Sequence, residues 1–200
     1  VTAAAPHDPD ATWSDPAAPL VRLVQQAVTG ANARLYAQNR QGERGEGGGM
    51  GTTLTGFWRP AGSTALVLFH VGDSRLYRLR GGALEQLSRD QTMYQQALEA
   101  GLFDSLPPRN LLLQAVGPSE AIVPEVRSHM VLGGDLLMLC SDGLHGSVPH
   151  GEMENVLAAA VAAAPSNEGQ ALLDGAARLI EMAKQYGGRD NITVLLARCD

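Results

Sequence analysis

Residues 52–87 read TTLTGFWRPAGSTALVLFHVGDSRLYRLRGGALEQL. Four β-rich runs, at 52–58, 64–71, 75–80 and 83–87, are divided by the turn signals Pro60-Ala61-Gly62, Gly72-Asp73 and Gly81-Gly82. No stretch of helical period lies between them. Connections this short favour antiparallel neighbours, so the segment predicts an antiparallel meander. A doubly wound parallel sheet would need a helix between successive strands. The stretch therefore sets the fold class as α+β with largely antiparallel sheets.

Outward from this block the period changes to that of helices. Toward the N-terminus, Leu20, Leu23, Val24, Ala27, Ala31 and Leu35 fall on one stripe and predict a helix over 17–39. Residues 1–16, with Pro6, Pro9 and Pro16, read as an irregular lead-in, and 41–51 as a Gly-rich loop carrying Glu43 and Glu46. Toward the C-terminus, 90–100 predicts a helix with Asp90 as N-cap and Gly101 as stop. Strands are expected at 122–131, 134–140 and 191–199, and helices at 151–164 and 167–186, the last stopped by Gly187-Gly188. The late helices are expected to cover one sheet and the early helices the other.

Two hundred residues, 44% of them hydrophobic and 18% charged, suit a single domain with a sizeable core. A net charge of −6 argues against nucleic acid or an anionic membrane as the main partner. The longest uncharged apolar run, 156–165, is far short of a membrane span. Cys140 and Cys199 lack any CxxC or nearby His partner, and read as buried thiols of a cytoplasmic protein. The chain begins at Val1 with no basic n-region, so no signal peptide is expected. His70 reads as a core or edge histidine, His145 as a neighbour of the Asp142 turn, and His7 and His150 as solvent residues. Trp13 and Trp58 read as packing.

Three acidic turns stand at strand or helix boundaries: Gly72-Asp73-Ser74, Ser141-Asp142-Gly143 and Arg189-Asp190-Asn191. Carboxylates so placed suit hard divalent cations, which take oxygen ligands and complete their shell with water. They equally suit Asp as a turn residue bonded to its own backbone. Other chemistries find less support. No Arg follows Cys140 in Ser141-Asp142-Gly143-Leu144-His145-Gly146, and Asp142 is the wrong neighbour for a thiolate. Ser141 lacks a GxSxG elbow, and the glycines at 45–51 precede no Lys-Ser/Thr.

The turns belong to an ordered series. It runs Gly49-Met50-Gly51-Thr52-Thr53-Leu54, Val71-Gly72-Asp73-Ser74-Arg75-Leu76-Tyr77, Leu87-Ser88-Arg89-Asp90-Gln91-Thr92, Arg109-Asn110, Ala115-Val116-Gly117, Leu139-Cys140-Ser141-Asp142-Gly143-Leu144 and Gly188-Arg189-Asp190-Asn191-Ile192-Thr193-Val194. From about residue 17 to 200 the chain resembles the metal-dependent protein serine/threonine phosphatases, the PPM or PP2C type, in compact bacterial form. The resemblance implies an αββα sandwich with a binuclear Mn/Mg centre at one end of the sheets. It implies Asp142 and Asp190 as ligands of the first catalytic metal, and Asp73 as the aspartate of a third, weaker one. Asn191 would help fix the Asp190 turn. The implied reaction is attack of a metal-activated water on phosphoserine or phosphothreonine, in opposition to a Ser/Thr kinase.

The chain also departs from the family pattern. An Arg that grips phosphate, an acidic pair and an Asp-Gly-x-Gly-Gly turn have no counterpart, and Asp8, Asp10, Glu43 and Glu46 do not stand in their places. Residues 1–200 are therefore expected to be one phosphatase domain without its N-terminal strands and first metal turn, through truncation rather than natural loss. The alternative is an inactive relative serving as a binding or regulatory module. Gly146 stands where many relatives carry another Asp, Gln91 replaces a usual His, and Gln114 a common Arg. A monomer is expected.

Overall fold

In a computed structural model that describes residues 17–41, 49–163 and 167–200, the strands form two sheets. In the first, β2 (Ala65–Val71) lies between β1 (Leu54–Trp58) and β5 (Glu125–Met130), antiparallel to both. In the second, β3 (Arg75–Arg80) and β6 (Leu136–Cys140) are flanked by β4 (Ala83–Gln86) and β7 (Val194–Arg198), again antiparallel throughout. Earlier readings for 1–16 and 42–48, with Asp8, Asp10, Trp13, His7, Glu43 and Glu46, lie outside the described residues.

Alternation along the strands builds three apolar layers. Leu66 and Leu68 of β2 meet Leu76 of β3 and Leu137 of β6 between the sheets, each at most 1% exposed. The opposite face of the second sheet carries Tyr77, Leu79, Leu136, Met138 and Cys140. These pack on Leu157 of α4 (His150–Ala163) and Leu179 of α5 (Glu168–Gln185). Because β6 is covered on both faces, its sequence reads as a continuous apolar run. Each such leucine stabilises the fold by roughly 2 kcal/mol. On the outer face of the first sheet, Val71 and Phe69 meet Val28 and Val24 of α1 (Ala18–Gln41). The layers are thus helix, sheet, sheet, helix, and α5 begins where Asn167 accepts from the Gln170 amide.

Several expectations need correction. The four early strands are not one meander, because the chain leaves the first sheet after β2 and enters the second at β3. Gly72 makes the crossing: its φ is +109°, and a Cβ there would come 2.5 Å from Thr53 Cγ2. Helix α2 (Met93–Glu99) starts later than expected, since Thr92 and not Asp90 caps it, accepting from the Gln95 amide at 3.1 Å. Asp90 is drawn off by Arg75. Of the early helices α1 alone covers a sheet, whereas α2 borders the cleft described below. Trp58 ends β1 39% exposed. His150 is exposed, as expected, while bonding the Leu84 carbonyl and leaning on the Tyr77 ring.

Candidate active site

Register brings two of the acidic turns together. Arg75 pairs with Cys140 across β3 and β6, so Asp73, just before β3, and Asp142, just after β6, emerge at one end of the sandwich. Asp142 opens the short helix α3 (Asp142–His145). His145 Nε2 reaches the Asp73 carbonyl at 2.9 Å, linking the two turns. Thr55 donates to the Ser74 carbonyl at 2.9 Å. Gln91 holds Gly72 at both backbone atoms, its side-chain oxygen accepting from Gly72 N and its own amide donating to Gly72 O. The Gln that replaces a His thus acts as a backbone brace.

The third turn is latched to the second through main chain. Ser141 Oγ donates to the Asn191 carbonyl at 2.9 Å and accepts from the Thr193 amide at 3.0 Å. A Cβ on Gly143 would stand 2.4 Å from that same carbonyl, so only Gly permits the approach. Asn191 therefore contributes its backbone to the latch. Asp190 Oδ1 accepts the Asn191 amide at 2.7 Å, as a turn aspartate does. Asp73 and Asp142 line one cleft of about 670 Å³ with His145 and Arg189, whereas Asp190 is exposed beside it and outside its lining.

The cleft also contains residues that motif reading did not promote. Arg75 grips Asp90 with two hydrogen bonds, of 2.8 and 2.7 Å, and donates a third to Tyr77 OH. Arg109 stacks on Tyr94, 4.3 Å from its ring centroid, and bonds its hydroxyl at 2.9 Å. Arg109 and Arg189 are exposed and form no salt bridge among the described residues. Arg75, Asp90, Arg109 and Arg189 all stood inside the ordered motifs, which was the available signal. Tyr94 carried none.

Electrostatics separate the carboxylates from ordinary turn residues. Burial, then the charges of Asp142 and Asp90, push Asp73 up to about 6. Burial and the Arg75 charge hold His145 below its usual value. Such crowding is what a cation would relieve. Among the described residues no group of three or more His, Cys, Asp or Glu is set to hold a metal ion. Asp73 and Asp142 fit a hard divalent cation by donor type, with water or further ligands completing its shell. Cys140 is buried, and burial pushes its thiol up to about 12, which excludes it as a nucleophile.

Fold and cleft together define a two-sheet αββα protein whose strand ends carry carboxylates beside arginines that form no salt bridge among the described residues. No family model matches the chain. It is 34% identical over 188 residues to the serine/threonine protein phosphatase PstP of Mycobacterium tuberculosis, across 92% of this chain and 34% of that protein. To the serine/threonine phosphatase Stp of Listeria monocytogenes it is 34% identical over 171 residues, across 83% of this chain and 62% of that protein. The catalytic domain of PstP, solved in complex with two manganese ions, superposes with a TM-score of 0.73 at 32% identity, covering 92% of this chain and 74% of that one. The chain belongs to the bacterial PPM-type serine/threonine phosphatase family. It spans about a third of the length of PstP and about three-fifths of that of Stp.

No helix among the described residues is long and apolar enough to cross a membrane.

Proposed function

We propose that the chain forms the larger part of a phosphoserine/phosphothreonine protein phosphatase that uses Mn²⁺ or Mg²⁺ and opposes a Ser/Thr kinase in the cytoplasm. The observation that carries this reading is the shared cleft of Asp73 and Asp142, with Asp73 raised by burial and then by its acidic neighbours. Asp142, Asp190 and Asp73 are the residues that would hold metal, Asp190 after turning from its exposed position. The ions supply Lewis-acid activation of water and charge to balance the phosphoryl oxygens. Arg109 and Arg189 attract and orient the phosphate, having no carboxylate of their own to satisfy. Arg75, already bound to Asp90, holds the framework. Hydrolysis breaks the ester P–O bond, adds water across it and releases a free hydroxyl side chain with inorganic phosphate.

We also propose that 1–200 is a single domain whose sheets accept further strands. β1 and β7 are the outer strands of their sheets, and a cleft of about 420 Å³ lined by Leu54, Leu139 and Leu195 opens between them. Strands added there would bring further metal ligands to the same end. The second reading, an inactive binding module, is favoured by the lack of a three-ligand cluster among the described residues.

The test is Mn²⁺-dependent phosphate release from a phosphothreonine peptide by the chain, by the chain with its native upstream coding region, and by Asp142→Asn and Asp190→Asn variants. Activity that falls at least a hundredfold in both variants supports the phosphatase. Undiminished activity in both overturns the metal assignment. Phosphopeptide binding without turnover in the longest native form supports the binding module.

A further inference from the structure

Helix α1 is held tightly on one side and bare on the other. On the inner side Asn32 donates to the Ser119 and Glu120 carbonyls at 3.0 and 3.1 Å and accepts the Gly117 amide at 2.8 Å. Asn39 donates to the Met50 and Gly117 carbonyls at 2.8 and 3.0 Å. These clamps, with Val24 and Val28, fix a helix of 24 residues, about 36 Å long, against the first sheet. The outer stripe, Leu23, Gln26, Gly30, Ala33, Ala37 and Gln41, follows helical spacing, and every member is exposed. Gly30 lies near its centre. Gly in a helix interior is disfavoured against Ala, and no neighbour in the chain requires it here, since a Cβ would meet nothing within 4 Å. It leaves room for a group from outside to approach the helix backbone.

Charge identifies the occupant. In a chain of net charge −6, α1 carries Arg22, Arg34 and Arg40 and no acidic residue. All three are exposed and form no salt bridge among the described residues, whereas most described cations outside α1 have a carboxylate partner. Arg40 suits the negative end of the helix dipole, but Arg22, in the second turn, gains nothing from it. We propose that the outer face of α1 docks an acidic helix of a partner protein, its ridge seated at Gly30 and its carboxylates on Arg22 and Arg34. A second copy that paired α1 with α1 would bring arginines from both sides and no carboxylate. A lipid surface fits less well, because Leu23, 55% exposed, is the one large apolar side chain on the stripe. The proposal is independent of the carboxylate cleft and of its chemistry.

The test uses the 200-residue chain and fluorescent helical peptides that share one Ala/Leu stripe and carry Glu, Gln or Lys beside it, with affinities read by anisotropy at low and high salt. The Glu peptide is expected to bind about tenfold more tightly than the Gln peptide at low salt and to lose that advantage at high salt. Arg22→Gln/Arg34→Gln removes the advantage, and Arg178→Gln, exposed on α5, retains it. Gly30→Leu weakens binding of the Glu peptide about tenfold while raising the thermal midpoint by about 3 °C, which separates blockage from misfolding. Equal affinity of the three peptides, no binding of the Glu peptide, or undiminished binding to Gly30→Leu overturns the proposal. Binding to phosphatidylserine vesicles alone, abolished by Arg22→Gln/Arg34→Gln, assigns the face to lipid and overturns it. A dimer in sedimentation that Gly30→Leu dissociates assigns it to a second copy, with the same result. Peptide binding that appears only in Asp8→Asn/Asp10→Asn/Asp15→Asn assigns it to the chain's own acidic residues and likewise overturns the partner.

Discussion

The two ends of the β3–β6 pair each contain a buried carboxylate, and they treat it in opposite ways. At the far end, Asp135 is 2% exposed, takes two hydrogen bonds from Arg80 at 2.7 and 2.6 Å, and accepts the Leu132 amide at 2.9 Å. Burial alone would raise its pKa, but Arg80 and the Leu132 amide outweigh burial and hold it low. At the cleft end, Arg75 is consumed by Asp90, and Asp73 faces Asp142 with no cation of its own. One end is a closed structural ion pair. At the other, Asp73 has no paired cation even though Arg109 and Arg189 line the same cleft, the pattern of a site that keeps a carboxylate for a charge from outside.

Removing the cation at each end tests this contrast first. Arg80→Ala leaves Asp135 buried and unpaired and should lower the thermal midpoint by about 10 °C. Arg75→Ala should cost about half as much, because Asp90 lines a wet cleft and keeps a hydrogen bond from Gln86. Equal losses in differential scanning calorimetry would break the comparison. Removing charge at the acidic end should act with the opposite sign. Asp73→Asn relieves repulsion and should raise the midpoint of the metal-free protein by about 3 °C, part of the effect being screened by water. The same substitution should remove any rise in midpoint that millimolar Mn²⁺ brings to the unaltered chain. A lowered midpoint would show that Asp73 is a structural turn residue.

The smallest effect concerns His70. It lies wholly buried between the sheets, its Nδ1 2.8 Å from Thr55 Oγ1 and its Nε2 without a hydrogen-bond partner. Burial lowers its pKa despite the nearby charges of Glu125 and Asp90. A lowered folded value means the unfolded chain binds more protons. The stability it confers is complete above about 6.5 and is lost as pH falls toward the folded value. His129, also lowered by burial, adds to the same slope. His70→Gln should flatten the midpoint-versus-pH curve below about pH 6.5 by a few degrees, and an unchanged slope would place the sensitivity elsewhere.

Much of the fold was legible because apolar period and element agree almost everywhere, most clearly in β6, whose unbroken apolar run announces a strand covered on both sides. The point where the chain passes from one sheet to the other was not. Gly72-Asp73 has the composition of a hairpin turn, and what turns it into a crossing is its closeness to Thr53, nineteen positions earlier. Asp90 misled for the same reason, since a good N-cap was claimed by an arginine fifteen residues away. In the site, Asp73 and Asp142 were singled out from their turns, and the fold brings both to one cleft. The outward pose of Asp190 and the stacking of Arg109 on Tyr94 depend on side-chain torsions and distant neighbours, which short motifs do not encode.

The Ser141 latch has a kinetic meaning as well. Its bonds to Asn191 and Thr193 close a loop that contains both α4 and α5. Closing so long a loop is slow unless the chain inside it is already compact. Those helices meet closely, a Cβ on Gly175 standing 3.0 Å from Ala160 Cβ, and their docking shortens the loop before the latch forms. A bulky residue at Gly175 would therefore delay assembly of the cleft at the end of the sandwich, without touching any residue that lines it.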